Sequence, residues 1–321
     1  MQKRDFFRRA GTFVAAALLA SLAHAAYPEQ PIKLVIGFPP GGGGDLYGRT
    51  IANELARRIG QPVVVDNRVG AGGNIAAEVV AKAKPDGYTL LLAMSGNMGS
   101  SPAIRSNLTY KVPGDFEPIS QLVETPFGLM VSATSKIRSI EDFVAVARQG
   151  KLTYASTGTG GASQIVMEMV KQQAGLDILH VPYKGSGPAI TDLLGGQVDS
   201  FFAPYTPLMG QINGGKMRLL AVSSARRVPS MPNVPTLKES GIDVTMTQWY
   251  GLAAPAGTPK EVLETLTRHV KAALQTPAVL QVYRNDGAQE STLSGAAFRD
   301  FIVRDIAKYR RGVERGNLKA E

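Results

Sequence analysis

Residues 116–133, FEPISQLVETPFGLMVSA, form a long extended stretch without helical periodicity. This stretch interrupts a regular alternation of strand-like and helix-like segments, so we predict that it is a strand crossing between two parts of the protein. A second extended stretch, VTMTQWYGLAAPAGTP at residues 244–259, is predicted to cross back. Two crossings predict two lobes that can close by hinge motion at the crossings.

On both sides of these crossings, apolar runs typical of strands alternate with helix-like segments. IKLVIGF at residues 32–38 precedes a predicted helix over 45–59, and LTYAS at residues 152–156 precedes one over 163–175. Repeated β-α-β order indicates parallel sheets with right-handed crossovers. We therefore predict an α/β fold typical of type II periplasmic binding proteins, with two lobes, parallel-type sheets and two crossing hinge strands. Lobe 1 is assigned residues 26–124 and 247–321, and lobe 2 residues 125–246.

The other elements follow from the same patterns. Further strands are predicted at residues 61–67, 85–94, 178–183, 198–204 and 217–225. Further helices are predicted from residue 74 to 83 and over residues 188–194, 259–275 and 294–311. In parallel sheets the ligand lies beyond the carboxyl ends of the strands, so the loops at those ends are the place to look for a site.

The first 25 residues have the parts of a secretory signal peptide. A basic start with Lys3 and Arg4 precedes an apolar run over residues 12–23, and Ala23-His24-Ala25 forms an A-x-A cleavage pattern. That run is shorter than the roughly 20 residues that a membrane-spanning helix needs. The sequence therefore predicts a cleaved signal peptide and a periplasmic protein. Sec and Tat export both stay open, because KRDFF resembles a twin-arginine signal.

The composition excludes several classes of protein. The chain contains no cysteine, so a disulfide scaffold is excluded and the fold must depend on ordinary hydrophobic cores. The net charge is +9, but the Lys and Arg residues form no long basic cluster, and we predict no nucleic-acid partner. A mild positive field favours anionic ligands instead.

Residues 38–49, FPPGGGGDLYGR, connect a predicted strand to a predicted helix. Glycine-rich turns in this position usually bring backbone N–H groups up to an anion. The turn lacks the G-K-[ST] ending of a phosphate loop, because Asp45 follows the glycines, and it does not match G-x-G-x-x-G. An adjacent carboxylate would repel a dianionic phosphate. An amide nest for a single carboxylate fits better, and a plain tight turn is the alternative.

A second glycine-rich turn, YASTGTGGASQ at residues 154–164, occupies the corresponding place in lobe 2. The two turns are predicted to face each other across a cleft, where helix N-termini add partial positive charge. Tyr183 and Tyr205 follow strands of lobe 2 and are candidates for the cleft wall, whereas Trp249 fits either hinge packing or that wall. Lys184 is the only cation that the sequence places near these turns.

No catalytic or metal-binding pattern accompanies the turns. His180 lies within the apolar run ILHVPY and is predicted to be a core residue, and His269 lies on a helix with charged neighbours. The sequence has no H-E-x-x-H or G-x-S-x-G motif and offers no nucleophile–base pair near the turns. Metal binding is not expected without cysteine or clustered His and carboxylates. We predict no catalytic residue, no metal and no cofactor.

Several stretches resemble the TctC/Bug family, the extracytoplasmic solute receptors of tripartite tricarboxylate transporters. They are YPEQPIKLVIGFPPGGGGD, QPVVVDNRVGAGGNIAAEVVAKAKPDGYTLLL, VPYKGSGPAITDLLGGQVD, LLAVSSARRVPSMPNVPTLKESG and WYGLAAPAGTP, and the resemblance runs from Tyr27 nearly to the C-terminus. It implies a two-lobed binding protein that clamps carboxylates with backbone amides and ordered water from the two turns. The chain departs from the family at Gly161 and Gln164, where members often carry serine and histidine, so its ligand can differ from theirs.

The resemblance also implies which residues bind the ligand. The first-lobe turn, the second-lobe turn and the loop SGN are carried over by position, and the two tyrosines are added from the strand ends. Asp45 is included, although we expect it to cap its own helix. The predicted set is Phe38, Pro40, Gly41, Gly42, Gly43, Gly44, Asp45, Ser95, Asn97, Ser156, Thr157, Gly158, Thr159, Gly160, Gly161, Ser163, Tyr183 and Tyr205.

The sequence thus predicts a periplasmic solute-binding protein, not an enzyme, that captures a small organic carboxylate for a tripartite tricarboxylate-type transporter. Its partners would be that ligand and, transiently, the membrane transporter subunits, with the protein itself a monomer. A sensor that feeds a membrane signalling system is one alternative, and an exported hydrolase is another. Dicarboxylates, tricarboxylates, acidic amino acids and aromatic acids all stay open, with the lack of a loop arginine favouring an uncharged or aromatic far end.

Overall fold

Strand β4 (Phe116–Ser132) belongs to both lobes. The computed structural model describes residues 27–150 and 152–315. From Phe116 to Pro126 the strand pairs antiparallel with β9 (Thr247–Pro255) in the first lobe. Beyond Pro126 it pairs antiparallel with β7 (Ser200–Pro204) and β8 (Met217–Val222) in the second lobe. The crossing strand predicted from residues 116–133 is therefore present and joins the two sheets.

The sheet of the first lobe has a parallel part and an antiparallel part. Strand β1 (Ile32–Ile36) lies between β2 (Val63–Asn67) and β3 (Thr89–Met94) and is parallel to both. Strand β3 then pairs antiparallel with β9, and the short strand β10 (Gln289–Glu290) pairs with β4. Since β1, β2 and β3 run in one direction, their carboxyl ends meet at one edge of the sheet.

The sheet of the second lobe repeats this plan. Strand β5 (Thr153–Ser156) lies between β6 (Leu179–Pro182) and β7 and is parallel to both. The antiparallel pairs come from the second half of β4. The prediction of a two-lobed α/β fold with parallel-type sheets is confirmed, and the crossing strands supply the antiparallel pairs.

Helices cover the faces of both sheets. In chain order they are α1 (Gly43–Ile59), α2 (Asn74–Ala81), α3 (Ser101–Ile104), α4 (Ile140–Ala147), α5 (Ala162–Ala174), α6 (Ser186–Leu194), α7 (Met209–Asn213), α8 (Lys260–Leu274), α9 (Pro277–Asp286) and α10 (Gly295–Arg315). Short 3₁₀ turns occur at Ala71–Gly73 and Thr206–Leu208, and a π-helix spans Ser95–Ser100.

Two helices that the sequence analysis did not predict begin at recognisable caps. At the start of α4, the Asp142 N–H donates to Ser139 Oγ at 3.1 Å, while the Ser139 N–H donates to Asp142 Oδ2 at 3.2 Å. This reciprocal pair is a capping box. At the start of α9, the Val279 N–H donates to Thr276 Oγ1 at 3.4 Å, and Pro277 occupies the first helical position. Both signals are local and could have been found in the sequence.

Helix α10 follows the first-lobe strands in the chain but packs against both lobes. The Trp249 Nε1–H on β9 donates to Asp305 Oδ2 of this helix at 2.7 Å, and both residues are buried. Tyr309, about one turn further along the helix, is fully buried in the second-lobe core beside residues such as Phe127 and Phe143. Trp249 therefore serves in hinge packing rather than in a cleft wall.

Among the described residues, no helix has both the length and the apolar character that crossing a membrane requires. The predicted signal peptide, residues 1–25, lies outside the described residues and stays a prediction. The lobe boundaries at residues 124–125 and 246–247 stay predictions as well.

Candidate functional site

A cavity of about 390 Å³ lies between the two lobes, at the carboxyl ends of the parallel strands. One side is formed by the turn after β1, with additions from β3 and β9. The other side is formed by the second lobe, mainly by the start of α6 and the segment after β7. The lining residues are Phe38, Pro39, Pro40, Gly41, Gly42, Gly43, Gly44, Met94, Gln248 and Tyr250 on the first side, and Thr157, Gly185, Ser186, Gly187, Pro188, Ile190, Pro204, Pro207, Leu208 and Gln211 on the second.

The first-lobe turn presents the N-terminus of α1 to the cavity. Gly42 is the N-cap residue, with extended backbone, and no side chain among the described residues caps the helix there. The amides of the first turn have no acceptor within their own helix. They carry the positive end of the helix dipole, so this edge of the cavity is suited to a negatively charged group.

Asp45 shapes this turn and does not line the cavity. Its Oδ2 accepts a hydrogen bond from the Gly41 N–H at 3.1 Å, and its Oδ1 accepts from Asn67 Nδ2 at 3.1 Å. Arg49 Nε donates to both carboxylate oxygens at 2.9 Å. Burial alone would raise the pKa of Asp45, but the hydrogen bonds from Arg49, Gly41 and Asn67 outweigh it and hold the pKa below its usual value. The carboxylate is thus ionised and neutralised by Arg49.

The two lobes touch at two places along the cavity. A β-carbon at Gly43 would lie 2.7 Å from Pro207 Cγ, and one at Gly185 would lie 3.2 Å from Pro39 Cγ. Only glycine permits the first of these approaches, since real β-carbons do not come so close to other atoms. Beside them, the hydroxyl groups of Tyr47 and Thr206 share a hydrogen bond of 3.1 Å. The described conformation is therefore closed.

The second-lobe turn, residues 156–163, uses much of its hydrogen-bonding capacity within itself. The Thr157 N–H donates to Ser163 Oγ at 3.1 Å, and the Gly160 N–H donates to Gln164 Oε1 at 2.6 Å. Of the predicted residues in this turn, Thr157 lines the cavity, whereas Ser156, Gly158, Thr159, Gly160, Gly161 and Ser163 do not. Gln164 thus has a structural role, because its side chain accepts the Gly160 N–H and holds the turn.

A first-lobe arginine that the sequence analysis did not place here contacts the same turn. Arg105, just after α3, donates from Nη2 to the Thr159 carbonyl oxygen at 3.3 Å. A β-carbon at Gly160, where φ is +70°, would lie 2.7 Å from that nitrogen. The expectation that Lys184 is the only cation near the turns is therefore wrong. Lys184 itself is exposed and lies outside the cavity lining.

The start of α6 supplies the second helix N-terminus at the cavity. Gly185 is its N-cap residue, with φ at 111°, and no side chain of the described residues caps this helix either. Ser186, Gly187 and Pro188 follow and line the cavity. The sequence analysis quoted these residues within VPYKGSGPAITDLLGGQVD but did not assign them to the site. A proline in the first turn after Gly-Ser-Gly was the available signal.

The loop SGN forms part of a buried π-helix behind the cavity. Asn97 Oδ1 accepts from the Met94 N–H at 3.0 Å, and Ser95 Oγ donates to Gln248 Oε1 at 2.7 Å. Ser95 and Asn97 are fully buried, and neither lines the cavity. Ser95 acts on the site through Gln248, which does line it. The π-helix places these side chains at positions that a loop pattern could not reveal.

The two predicted tyrosines do not line the cavity. Tyr205 is fully buried among the apolar residues of the second lobe. Tyr183 donates from its hydroxyl to Asp192 Oδ2 at 2.6 Å, and desolvation together with this carboxylate raises the pKa of Tyr183 to about 12. Both tyrosines follow strands, as predicted, but their rings pack against the sheet and α6 instead of the cleft.

A serine–histidine pair lies beneath the second-lobe turn, so the expectation that no such pair exists near the turns is wrong. Ser156 Oγ and His180 Nε2 are 2.7 Å apart, and the imidazole stacks on Tyr154 at 4.8 Å. Burial lowers the pKa of His180, which keeps the ring neutral. Ser156 is nevertheless fully buried, also accepts from the Gly158 N–H at 3.3 Å, and does not line the cavity. The pair therefore supports the turn and cannot reach a ligand there.

The chain is similar to solute receptors of one family. Residues 47–318 match TctC, the tripartite tricarboxylate transporter family receptor. Protein BugT of Bordetella pertussis is 35% identical over 304 residues, which cover 93% of each chain. Two solved structures are also similar. R. palustris Rpa4515 with adipate has 31% identity and a TM-score of 0.87, covering 91% of this chain and 98% of that one. MatC from Rhodopseudomonas palustris with bound malate has 29% identity and a TM-score of 0.85, covering 89% and 100%.

Proposed function

The chain belongs to the tripartite tricarboxylate transporter receptor family, and from that membership we propose that it is a periplasmic receptor for a small organic carboxylate. Its two lobes close over the ligand, and the closed form delivers it to the membrane subunits of a transporter. Carboxylate chemistry is supported by two relatives, whose solved structures hold adipate and malate. The predicted residues of the first-lobe turn, Phe38 and Pro40 to Gly44, are proposed to hold the carboxylate.

The observation that carries this proposal is a closed cavity reached by two helix N-termini, one from each lobe. Helix α1 contributes Gly42, Gly43 and Gly44, and helix α6 contributes Ser186 and Gly187. Each terminus carries about half a positive charge. A hydrogen bond from an amide to an ionised carboxylate contributes about 1.5–3 kcal/mol. Amides from both lobes can bind one carboxylate only when the lobes are closed, so the ligand itself favours closure.

Thermal unfolding and isothermal titration test the binding step. The protein is titrated with adipate, malate, hexanoate and phenylacetate, and each acid is matched with its uncharged amide. We expect at least one acid to raise the Tm and its amide not to, because a ligand at 100 times its Kd adds about 2.7 kcal/mol to the free energy of unfolding. If no acid in a broad carboxylate panel raises the Tm, the proposed binding function is wrong.

Delivery to a transporter is tested separately. Membrane subunits of a tripartite carboxylate transporter encoded beside this chain are reconstituted in vesicles, and uptake of the labelled acid is measured with and without the receptor. We expect uptake to depend on the receptor. Tight binding of the acid with receptor-independent uptake would contradict the transport role and favour a sensor.

A further inference from the structure

A hydrogen bond between two side-chain hydroxyl groups joins the lobes beside the cavity. Tyr47 lies on α1 of the first lobe, and Thr206 is the first residue of the 3₁₀ turn that follows β7 of the second lobe. The two oxygens are 3.1 Å apart, and each residue is only 1% exposed. Neither member of this hydroxyl pair lines the cavity. The pair therefore acts on a ligand only through the position of the lobes.

The hydroxyl pair belongs to a larger contact between α1 and the 3₁₀ turn. Gly43 and Tyr47 are one turn apart on α1 and therefore share a face of the helix. A β-carbon at Gly43 would lie only 2.7 Å from Cγ of Pro207, the residue that follows Thr206. Two successive residues of the second lobe thus meet one face of a first-lobe helix. Because Gly43 and Pro207 line the cavity, the contact that brings the hydroxyl pair together also closes part of the cavity wall.

The first-lobe core fixes the position of the Tyr47 hydroxyl group. The ring centroid of Tyr47 lies 5.0 Å from that of Tyr250 and 5.9 Å from that of Tyr283, and all three residues are buried. A ring held against two others has little conformational freedom left to lose when its hydroxyl group binds a partner. The first lobe therefore presents this hydroxyl group to the second lobe in the orientation that the hydrogen bond requires.

Other hydrogen bonds that cross between the lobes end on backbone atoms. Ser100 Oγ donates to the Gly160 carbonyl oxygen at 3.4 Å, and Arg105 Nη2 donates to the Thr159 carbonyl oxygen at 3.3 Å. Both are longer than the bond of the hydroxyl pair, and a carbonyl acceptor stays in place whichever side chain its residue carries. The hydroxyl pair, in contrast, can be removed from either lobe by a nearly isosteric substitution.

Loss of one hydroxyl group penalises the closed form selectively. Among the described residues, Thr206 Oγ1 has its hydrogen bond with the Tyr47 hydroxyl group. Without that hydroxyl group, the threonine oxygen is buried and unpaired while the lobes are closed, whereas water reaches it when the lobes part. Leaving a buried polar group unpaired costs more free energy than a typical hydrogen bond contributes. The loss therefore shifts the equilibrium between open and closed forms towards the open form.

From these contacts we propose that Tyr47 and Thr206 form a latch, whose hydrogen bond is made as the lobes close and retains the ligand without touching it. The inference rests on the proposed function, because it assumes that a ligand is released by opening of the lobes. The latch sets how long a ligand stays bound and acts by the same factor on every ligand. The choice among ligands belongs to the residues that line the cavity.

A double-mutant cycle tests the latch. Tyr47→Phe, Thr206→Val and the double variant are compared by calorimetry and by stopped-flow release, with those acids among adipate, malate, hexanoate and phenylacetate that raise the Tm as probes. We expect each single variant to raise the Kd of every probe about tenfold, which corresponds to about 1.4 kcal/mol. The rise should appear mainly in the dissociation rate, since the lobes must open before the probe leaves.

The double variant separates a latch from two independent effects. It should bind no more weakly than the weaker single variant, because removal of both hydroxyl groups leaves neither unpaired. Thr206→Ser keeps the hydroxyl group and should bind within threefold of the unmodified protein. Losses that multiply in the double variant, or a factor that differs more than threefold between probes, would overturn the latch and leave the carboxylate receptor intact.

Tyr88→Phe is the matched control for the loss of a tyrosine hydroxyl group. Tyr88 accepts a hydrogen bond from the Glu29 N–H at 3.0 Å within the first lobe. It immediately precedes β3, whose other end, at Met94, lines the cavity. We expect this variant to release the probes at the unmodified rate, and release as fast as from Tyr47→Phe would overturn the latch.

A cycle of unfolding free energies keeps the latch testable if the proposed function fails. Should none of the four acids bind the unmodified protein, the same variants are unfolded in urea without ligand. The hydrogen bond predicts that the losses of stability from the two single variants are not additive in the double variant. Non-additive losses would support the contact on which the latch depends, and additive losses would overturn it.

Discussion

The substitution Gly42→Val tests whether backbone amides of the first-lobe turn hold the carboxylate. Gly42 has extended backbone, with φ at −89° and ψ at 173°, which any residue adopts. A β-carbon there would have the Pro39 carbonyl oxygen, at 3.9 Å, as its only neighbour within 4 Å. The fold therefore accommodates the valine. Because glycine is better than valine as an N-cap, we expect the free energy of unfolding to fall by about 1 kcal/mol.

The expected loss of affinity is larger than this loss of stability. The valine side chain occupies the open space beside the first-turn amides of Gly43 and Gly44, where the carboxylate is proposed to lie. Losing one hydrogen bond between an amide and an ionised carboxylate removes about 1.5–3 kcal/mol. Since about 1.4 kcal/mol corresponds to a tenfold change, the Kd should rise roughly 10- to 150-fold.

Isothermal titration gives the Kd and urea unfolding gives the stability. Gly210→Val is the matched control, because Gly210 is exposed on α7 and a β-carbon there meets no atom of the described structure within 4 Å. We expect the control to bind normally, and Lys184→Met to change the Kd less than threefold. If Gly42→Val binds as tightly as the unmodified protein while Lys184→Met does not bind, the amide clamp is refuted.

The other predictions concern closure, charge, pH and export. In small-angle scattering the radius of gyration should fall on ligand binding, and an unchanged radius at saturation would indicate a rigid pocket. Arg49→Met should weaken carboxylate binding severalfold, since it leaves the Asp45 charge uncompensated beside the anion; unchanged affinity would contradict this. Burial raises the pKa of Asp305 to about 7, so its contribution to stability is fully present below about pH 4 and is lost as the pH rises to 7. Relative to the unmodified protein, Asp305→Asn should gain urea stability from pH 5 to pH 8, and parallel pH profiles would show that the carboxyl titrates normally. N-terminal sequencing of the exported protein should begin at Ala26 or Tyr27, and an intact Met1 would rule out cleavage.

The elements of the fold were predictable because their signals are local. Strand β4 could be recognised since no helical period occurs within residues 116–133, and helix α1 could be recognised from Ile51, Leu55 and Ile59 on one face. The first-lobe turn was predictable for the same reason, because a glycine-rich segment directly follows a buried strand. The helix α4, which was missed, had an equally local signal in Ser139 and Asp142.

The parts of the site that were missed depend on contacts distant in sequence. Arg105 reaches the Thr159 carbonyl of the other lobe, and no local pattern connects these residues. Tyr205 follows a strand as a cleft residue would, yet its ring turns into the second-lobe core. Gln164 occupies the amide of Gly160 with its own side-chain oxygen. The packing of the two lobes against each other determines which of the two glycine-rich turns lines the cavity. The alternation of strands and helices in the sequence does not predict this packing.

The position of helix α10 has a consequence for how the second lobe completes its folding. The core of that lobe is built mainly from residues between Phe127 and Met246, but it also contains Tyr309, whose side chain is fully buried there. Until helix α10 docks, the interior of the second lobe lacks one of its large aromatic side chains, and a gap of that size is costly in a close-packed core. A fragment limited to residues 125–246 would keep that gap permanently, so the second lobe depends on a segment far along the chain for a complete interior.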